Sequence, residues 1–330
     1  MMAKGNLTAI VVGAGRIALS HIPHIIFHSN VELLGIVEPN RLMRFVLSRL
    51  FKVPAYSDIK AIAHLDFDAV FILTPPSSHY EITKSLLKLG KHVFLEKPVT
   101  LKPEHSQELL ELAKENSVQF SCGYVYRYHP IYNEMRNIIS NRIYGDPISC
   151  KIEMIGNVVN EDAPKTWRNT GRGSGCLYDY GCHAIDMHLF LFGSPSTVNC
   201  LSKESIFQEG VVDRFTAEIF HDDKCGFKSE IICDWANSQV RKAGLSIEID
   251  TPNTKIHTDG QKITVTGDTS KVYSIKDLET DVSFYLRGEE FQLQMDSFVF
   301  SITENDHNYA NIEDGVLCDS IISDIFEAKV

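Results

Sequence analysis

Three residues of this sequence have types and neighbours suited to moving a proton and a hydride. Asp179 and His183 stand four apart in GCLYDYGCHAID, behind the glycine run GRGSG, and Lys97 follows a short apolar run in VFLEKPVT. Hydride leaves a carbinol carbon only as its hydroxyl proton departs. Such a reaction needs a base that titrates near neutrality and a positive charge beside the developing alkoxide. An imidazole meets the first need and an ammonium the second; a carboxylate four residues before the imidazole can orient the ring or hold an adjacent hydroxyl. Spacing alone leaves plainer readings open: His183 as a satisfied core histidine, Asp179 as a helix N-cap, Lys97 as a strand-end charge. Asp179, His183 and Asp186 also share a helix face at spacings of four and three, which suits several divalent ions. No further His or Cys cluster matches them, so no metal is expected.

The elements that would hold these side chains alternate in the first third of the chain. Leu7–Val12, Val31–Val37, Asp68–Leu73 and His92–Leu95 are short apolar runs. Between them Ile17–His28, Arg41–Phe51 and Tyr80–Leu89 have helical spacing, Gly90 closing the last, and Pro103–Asn116 follows as an amphipathic helix. Pro23 must sit in the first turns of its helix or kink it. Apolar strands separated by helices predict a parallel, doubly wound sheet covered on both faces. After about residue 122 the pattern changes. Ile148–Ile155, Arg214–Phe220, Phe227–Asp234, Leu245–Asp250 and Lys262–Thr266 alternate apolar with polar residues, and Asp222-Asp223 and Asp259-Gly260 are turn pairs between such stretches. This is the pattern of an antiparallel sheet with one wet face, and Ile312–Glu327 returns to helix. The expected fold class is α/β. A nucleotide-binding domain covers 1–122, and an α+β domain on a mostly antiparallel sheet covers 123–330, ending in a helix over about 312–327.

After the first strand, VVGAGRIA sets a Gly-x-Gly-x-x-Ala pattern at Gly13, Gly15 and Ala18, with Arg16 and Ile17 inside it. Gly13 permits a tight turn, Gly15 lets backbone approach a pyrophosphate, and the following helix N-terminus supplies N–H groups. The second run ends in Glu38, twenty residues beyond Ala18. There a carboxylate can bond both ribose hydroxyls and repel a 2′-phosphate, so NAD is the expected cofactor and NADP is disfavoured, with Arg41 the cation that argues the other way. Thr74 and Pro75, in LTPPSSHYE, fall at a strand's carboxyl end, where open α/β sheets bind ligands. His79 either bonds a cofactor phosphate or ribose or caps the next helix.

Composition removes other classes. Lys plus Arg number 32 against 43 for Asp plus Glu, a formal charge of −11, which weighs against a duplex-binding protein. With 44% hydrophobic and 23% charged residues, disorder and fibre are excluded as the main state. The eight cysteines are scattered without a Cys-x-x-Cys pair and read as reduced packing thiols of a cytosolic chain. MMAKGNLTAIVVG lacks the build of a signal peptide, and no apolar run approaches the length of a membrane helix. The cytoplasm is the expected location, with neither nucleic acid nor membrane as partner.

Taken in order, Gly-x-Gly-x-x-Ala, TPPSSH, Glu96-Lys97-Pro98, YRYHP, WR, the glycine run and Asp-x-x-x-His resemble the Gfo/Idh/MocA oxidoreductases over essentially the whole chain. The resemblance is clearest from residue 7 to about 195. It implies a Rossmann domain followed by a substrate domain with a large open sheet. It also implies oxidation of sugar or cyclitol hydroxyls, or reduction of the ketones, with a nicotinamide cofactor. Mapped by motif, the family's lysine is Lys97, its aspartate Asp179 and its histidine His183, and Glu96 and Lys97 count with the cofactor contacts. Tyr126, in YVYRYHP, is a candidate acid in the reductive direction, and Arg127 contacts either cofactor or a domain-joining carboxylate. Trp167 and Arg168 resemble a segment that reaches the nicotinamide end, with packing the alternative for Trp167. The exposed sheet face is expected to build a homodimer or homotetramer. The substrate is a small carbohydrate-like molecule: free sugar, cyclitol or nucleotide-linked sugar, toward which Lys165, Arg168, Arg172 and Arg287 tilt. Two rivals are an NAD-dependent glycosidase of the same fold and a non-catalytic NAD-binding regulator, and the presence of Lys97, Asp179 and His183 counts against the regulator.

Overall fold

The apolar runs of the first third form the strands expected of them. In a computed structural model that describes residues 6–159, 173–222, 226–240, 242–278, 288–306 and 310–330, the chain folds as two units. These are Met1–Tyr128 with Asp281–Val316, and His129–Thr280 with Leu317–Val330.

The first unit runs β1 (Leu7–Val12), α1 (Ala18–Phe27), β2 (Val31–Val37), α2 (Arg41–Phe51), β3 (Ala55–Tyr56), β4 (Ala69–Ile72), α3 (His79–Leu87), β5 (His92–Leu95), α4 (Pro103–Glu115) and β6 (Phe120–Cys122). All six strands pair in parallel in the order β3-β2-β1-β4-β5-β6, so the winding reverses between β1 and β4. That reversal opens a crevice at the carboxyl ends of the strands. Every residue of β4 is buried, which is why the run is apolar without alternation. Helix α2 starts where Asn40 accepts hydrogen bonds from the N–H groups of Leu42 and Met43, both at 3.0 Å. Helix α1 runs through Pro23. The Glu289–Thr303 helix returns to this unit from far along the chain. Its Phe298 packs edge-on to Phe71 at 5.3 Å and against Phe94 at 5.8 Å, in the core built by β1, β4 and α1. Truncating one such ring to Ala costs about 3–5 kcal/mol.

The second unit contains α5 (Pro130–Ser140), β7 (Ser149–Ile155), α6 (Cys182–Phe192), β8 (Thr197–Glu204), β9 (Arg214–Phe220), β10 (Lys228–Asp234), β11 (Gly244–Asp250), β12 (Thr254–Thr258), β13 (Lys262–Gly267) and β14 (Lys271–Ser274). Its eight strands are ordered β14-β13-β12-β11-β7-β10-β9-β8. Neighbours are antiparallel except β7 and β10, which run parallel. Alternation sorts the two faces. Ile152, Met154, Ala217, Ile231 and Ile247 are buried, whereas Lys151, Glu153, Glu218, Glu230 and Glu248 stand partly exposed on the other face. Ion pairs there, such as Lys151 with Glu153 at 2.7 Å, are worth little individually. Among the described residues, no helix is long and apolar enough to cross a membrane.

Candidate active site

At the crevice between β1 and β4, a cavity of about 510 Å³ is lined by Gly13, Gly15, Glu38, Thr74 and Pro75 together with Ser57, Asp58, Ile59 and Ile82. Gly13 has φ +93°, and a Cβ there would lie 2.8 Å from Thr74 Cγ2 and 2.9 Å from the Leu73 carbonyl oxygen. No side chain fits. Gly15 has no atom within 4 Å of its missing Cβ, so its backbone is open to a ligand. Glu38 is fixed before any ligand arrives, since Oε2 accepts from the Ala14 N–H at 3.1 Å and Oε1 from the Asn40 N–H at 2.9 Å. Arg44, one turn into α2, donates to the Glu38 and Pro39 carbonyls at 2.8 and 2.6 Å and shapes this corner. Arg16 and Ile17 stand on the turn beyond and do not line the cavity. Sequence reasoning missed Ser57 and Asp58. Their signal was the capping pattern: Asp58 accepts from the N–H groups of Lys60 and Ala61, and these bonds, led by that of Ser57, hold its carboxyl below the usual range.

Lys97, half-buried, follows β5 directly. Its two chain neighbours are fastened to the interior of the first unit. Glu96 does not line that cavity; its carboxylate turns inward and lies 2.7 Å from Nε2 of His21 on α1. His79 is fully buried, its Nδ1 2.8 Å from the Pro98 carbonyl and its Nε2 2.8 Å from that of Thr74. Burial lowers its pKa against the pull of both carbonyls and of Glu96, so the ring is neutral near pH 7 and donates to one carbonyl at a time. His79 is not among the residues lining the cavity, and both ring nitrogens meet backbone oxygens.

Asp179 and His183 lie in the second unit, on the π-helical turn Leu177–Gly181 and the start of α6. From Gly173 to Phe192 every residue is buried except these two. The segment is pressed down by small residues. Gly175, at φ +103°, brings the chain against the segment leading into β9, where the Cys176 N–H donates to the Val212 carbonyl at 2.7 Å and an added Cβ would meet that same oxygen at 2.7 Å. Gly181 sits against the Phe215 ring, which a Cβ would approach to 3.0 Å. Tyr180 packs edge-on to buried Trp235, whose Nε1–H donates to Asp213 at 2.7 Å. Asp186 is 1% exposed and faces the core rather than sharing the outer face of Asp179 and His183. Among the described residues no three His, Cys, Asp or Glu side chains are grouped to hold a metal ion.

Tyr126, partly exposed, lies on the 3₁₀ turn Val125–Tyr128 of the first unit. Arg127, beside it, is 4% exposed, and its guanidinium donates to Asp314, a carboxylate of the same unit, at 2.7 Å. Trp167 and Arg168, with Lys165, Arg172 and Arg287, lie outside the described residues.

Comparison with known proteins covers most of this frame. Residues 7–124 match the profile "Oxidoreductase family, NAD-binding Rossmann fold", and residues 132–273 match "GFO/IDH/MocA C-terminal domain". Glucose-6-phosphate 3-dehydrogenase of Bacillus subtilis is 29% identical over 187 residues, 56% of this chain and 53% of the relative. The scyllo-inositol 2-dehydrogenase (NADP(+)) of the same organism is 29% identical over 182 residues, 52% of this chain and 50% of the relative. The chain thus spans about half the length of these curated relatives. A levoglucosan dehydrogenase, solved in complex with NADH and levoglucosan, superimposes with a TM-score of 0.85 at 20% identity, covering 97% of both chains.

Proposed function

Because the chain belongs to the Gfo/Idh/MocA oxidoreductase family, whose cofactor domain binds NAD, we propose that it transfers a hydride between NAD and a secondary hydroxyl or ketone of a sugar, cyclitol or nucleotide-linked sugar. The first unit, with the glycine turn and Glu38, holds the cofactor, and the second holds the substrate. The observation that carries this reading is the partial exposure of Asp179 and His183 alone in a run of twenty residues whose other eighteen are buried.

When bound, the nicotinamide supplies the hydride acceptor or donor. In oxidation, His183 takes the hydroxyl proton as the carbonyl forms, and the Lys97 ammonium stabilises the developing alkoxide. Asp179 orients the imidazole or anchors a neighbouring hydroxyl. In reduction the proton returns to the oxygen from His183 or from Tyr126. Glu38 bonds the ribose hydroxyls and selects NAD over NADP.

The cytoplasmic assignment rests on the sequence, whose eight scattered cysteines form no Cys-x-x-Cys pair. The partly exposed, charged face of the eight-stranded sheet is the surface on which a second copy would pair, and light scattering reads that state.

The test is a panel of glucose 6-phosphate, scyllo-inositol, levoglucosan and UDP-sugars, each followed by NADH formation. Net NADH marks a dehydrogenase, whereas a glycosidase regenerates its cofactor in each turnover. On the active substrate, His183→Ala lowers kcat by roughly 10²–10⁴-fold with NADH affinity nearly intact. Unchanged turnover removes His183 from the mechanism.

A further inference from the structure

The site reading above gives Lys97 the reacting oxygen but leaves open what keeps its ammonium in place. Resting on that reading, we propose that the buried histidines His21 and His79 are positioning residues that hold the Lys97 peptide from its two ends. His21 is 1% exposed and its ring lies between Phe94, 5.2 Å away and tilted at 59°, and Phe291, 5.3 Å away and edge-on at 73°. Its Nε2 reaches Glu96 Oε1 at 2.7 Å, and Glu96 Oε2 accepts the N–H of Lys97 itself at 3.3 Å. The carboxylate cannot swing away. The backbone of Gly123 closes behind it, so tightly that a Cβ on Gly123 would lie 2.9 Å from Glu96 Oε2. The Glu96 N–H is tied in turn to the Ile72 carbonyl at 3.0 Å.

The other end is held in the same manner. His79 lies 2.8 Å from the carbonyls of both Pro98 and Thr74 and its one N–H donates to either, and Thr74 lines the nucleotide cavity. The residues before and after Lys97 are therefore each fastened by a buried imidazole, one from α1 and one from α3. Neither ring lines the cavity between β1 and β4. The chemistry argues against simple packing for His21. Its Nδ1 is buried with no hydrogen-bond partner, a cost that an apolar side chain between two phenylalanines would avoid. Burying a carboxylate beside an imidazole is likewise a poor route to stability, and is best explained by the geometry it enforces.

Competitive acetylation of the NADH-saturated protein by acetic anhydride, read by peptide mass spectrometry, follows Lys97 without any sugar present. Exposed Lys262 serves as internal standard. Losing the clamp changes the hydrogen bonding and setting of the amine, so His21→Leu alters the Lys97-to-Lys262 rate ratio by about threefold or more, the effect of half a pKa unit. His21→Gln, which offers an amide N–H toward Glu96, brings the ratio back. A lowered melting temperature with an unchanged Lys97 ratio shows a structural role only and overturns the proposal. Should His21→Leu fail to fold, Glu96→Gln is read in the same way, and an unchanged ratio is again fatal. Turnover of Lys97→Met on the panel above separates the two claims. Full activity sinks the reading of the site and the purpose of the clamp with it. An inactive Lys97→Met with unaltered labelling in His21→Leu sinks the clamp alone.

Discussion

Replacing Glu38 by Ser tests the cofactor half of the site, because the structure shows what the carboxylate does before a ligand arrives. Two backbone N–H groups, of Ala14 and Asn40, hold its oxygens at 3.1 and 2.9 Å. The carboxylate thus meets a ribose without reorganising, and its charge-assisted bonds to the hydroxyls are worth about 1.5–3 kcal/mol. A 2′-phosphate in the same place puts like charges about 4 Å apart, a repulsion of about 4 kcal/mol per charge pair at an effective dielectric of about 20. Glu38 is only half-buried, so solvent reduces this to about 1–2 kcal/mol. Both effects move the ratio of NADPH to NADH dissociation constants the same way, and together they amount to about 2.5–5 kcal/mol. Glu38→Ser should therefore lower that ratio by at least about two orders of magnitude. Titrating the nicotinamide fluorescence of each cofactor at one fixed ionic strength measures it. A ratio altered by less than about threefold would refute the assignment of Glu38 to the ribose.

Gly13→Ala forces a Cβ into a left-handed backbone and against the Leu73 carbonyl; it should weaken NADH by about 30-fold or more, about 2 kcal/mol, and wild-type affinity would count against the turn. Asp314→Asn takes the charged partner from nearly buried Arg127 and should cost about 2–4 kcal/mol, seen as a lower melting temperature of the first unit, whereas an unshifted transition would show that solvent already screens the pair. Burial presses the His129 pKa down from 6.5 to about 4, so the unfolded chain binds that proton first. Its contribution is whole above pH 6.5 and drains as pH falls toward 4, and His129→Phe should flatten the melting temperature over that window, equal slopes telling against it.

Much of the fold was legible because both patterns are strong where the protein is most buried. The runs Leu7–Val12, Val31–Val37 and His92–Leu95 coincide with β1, β2 and β5, and Arg214–Phe220 with β9. Strand β8 went unread because it is an edge strand whose residues are mostly half-exposed or exposed and so carry little contrast between faces. The parallel pairing of β7 with β10 was equally hidden, since alternation reports which face is wet and says nothing about direction. At the site, Gly13, Glu38 and Thr74 could be read because turn chemistry is local. The link from His21 to Glu96 spans 75 positions, and neither residue type announces the other. Asp186 misled for the opposite reason: helical spacing groups it with Asp179 and His183, but it is 1% exposed where those two are partly exposed.

The return of the Glu289–Thr303 helix to the first unit also sets a timetable for synthesis. Met295, Phe298 and Val299 belong to the same core as Phe71 and Phe94, and Phe298 lies 176 residues beyond Cys122, the end of the last strand of that sheet. At about 5–20 residues per second, a ribosome takes about 9–35 s to cover that distance. Throughout it, Phe71 and Phe94 lack the helix that later packs on them beside α1, and the second unit emerges in the meantime. A nascent chain paused before residue 289 should accordingly hold holdase chaperones on the face that Phe298 later seals.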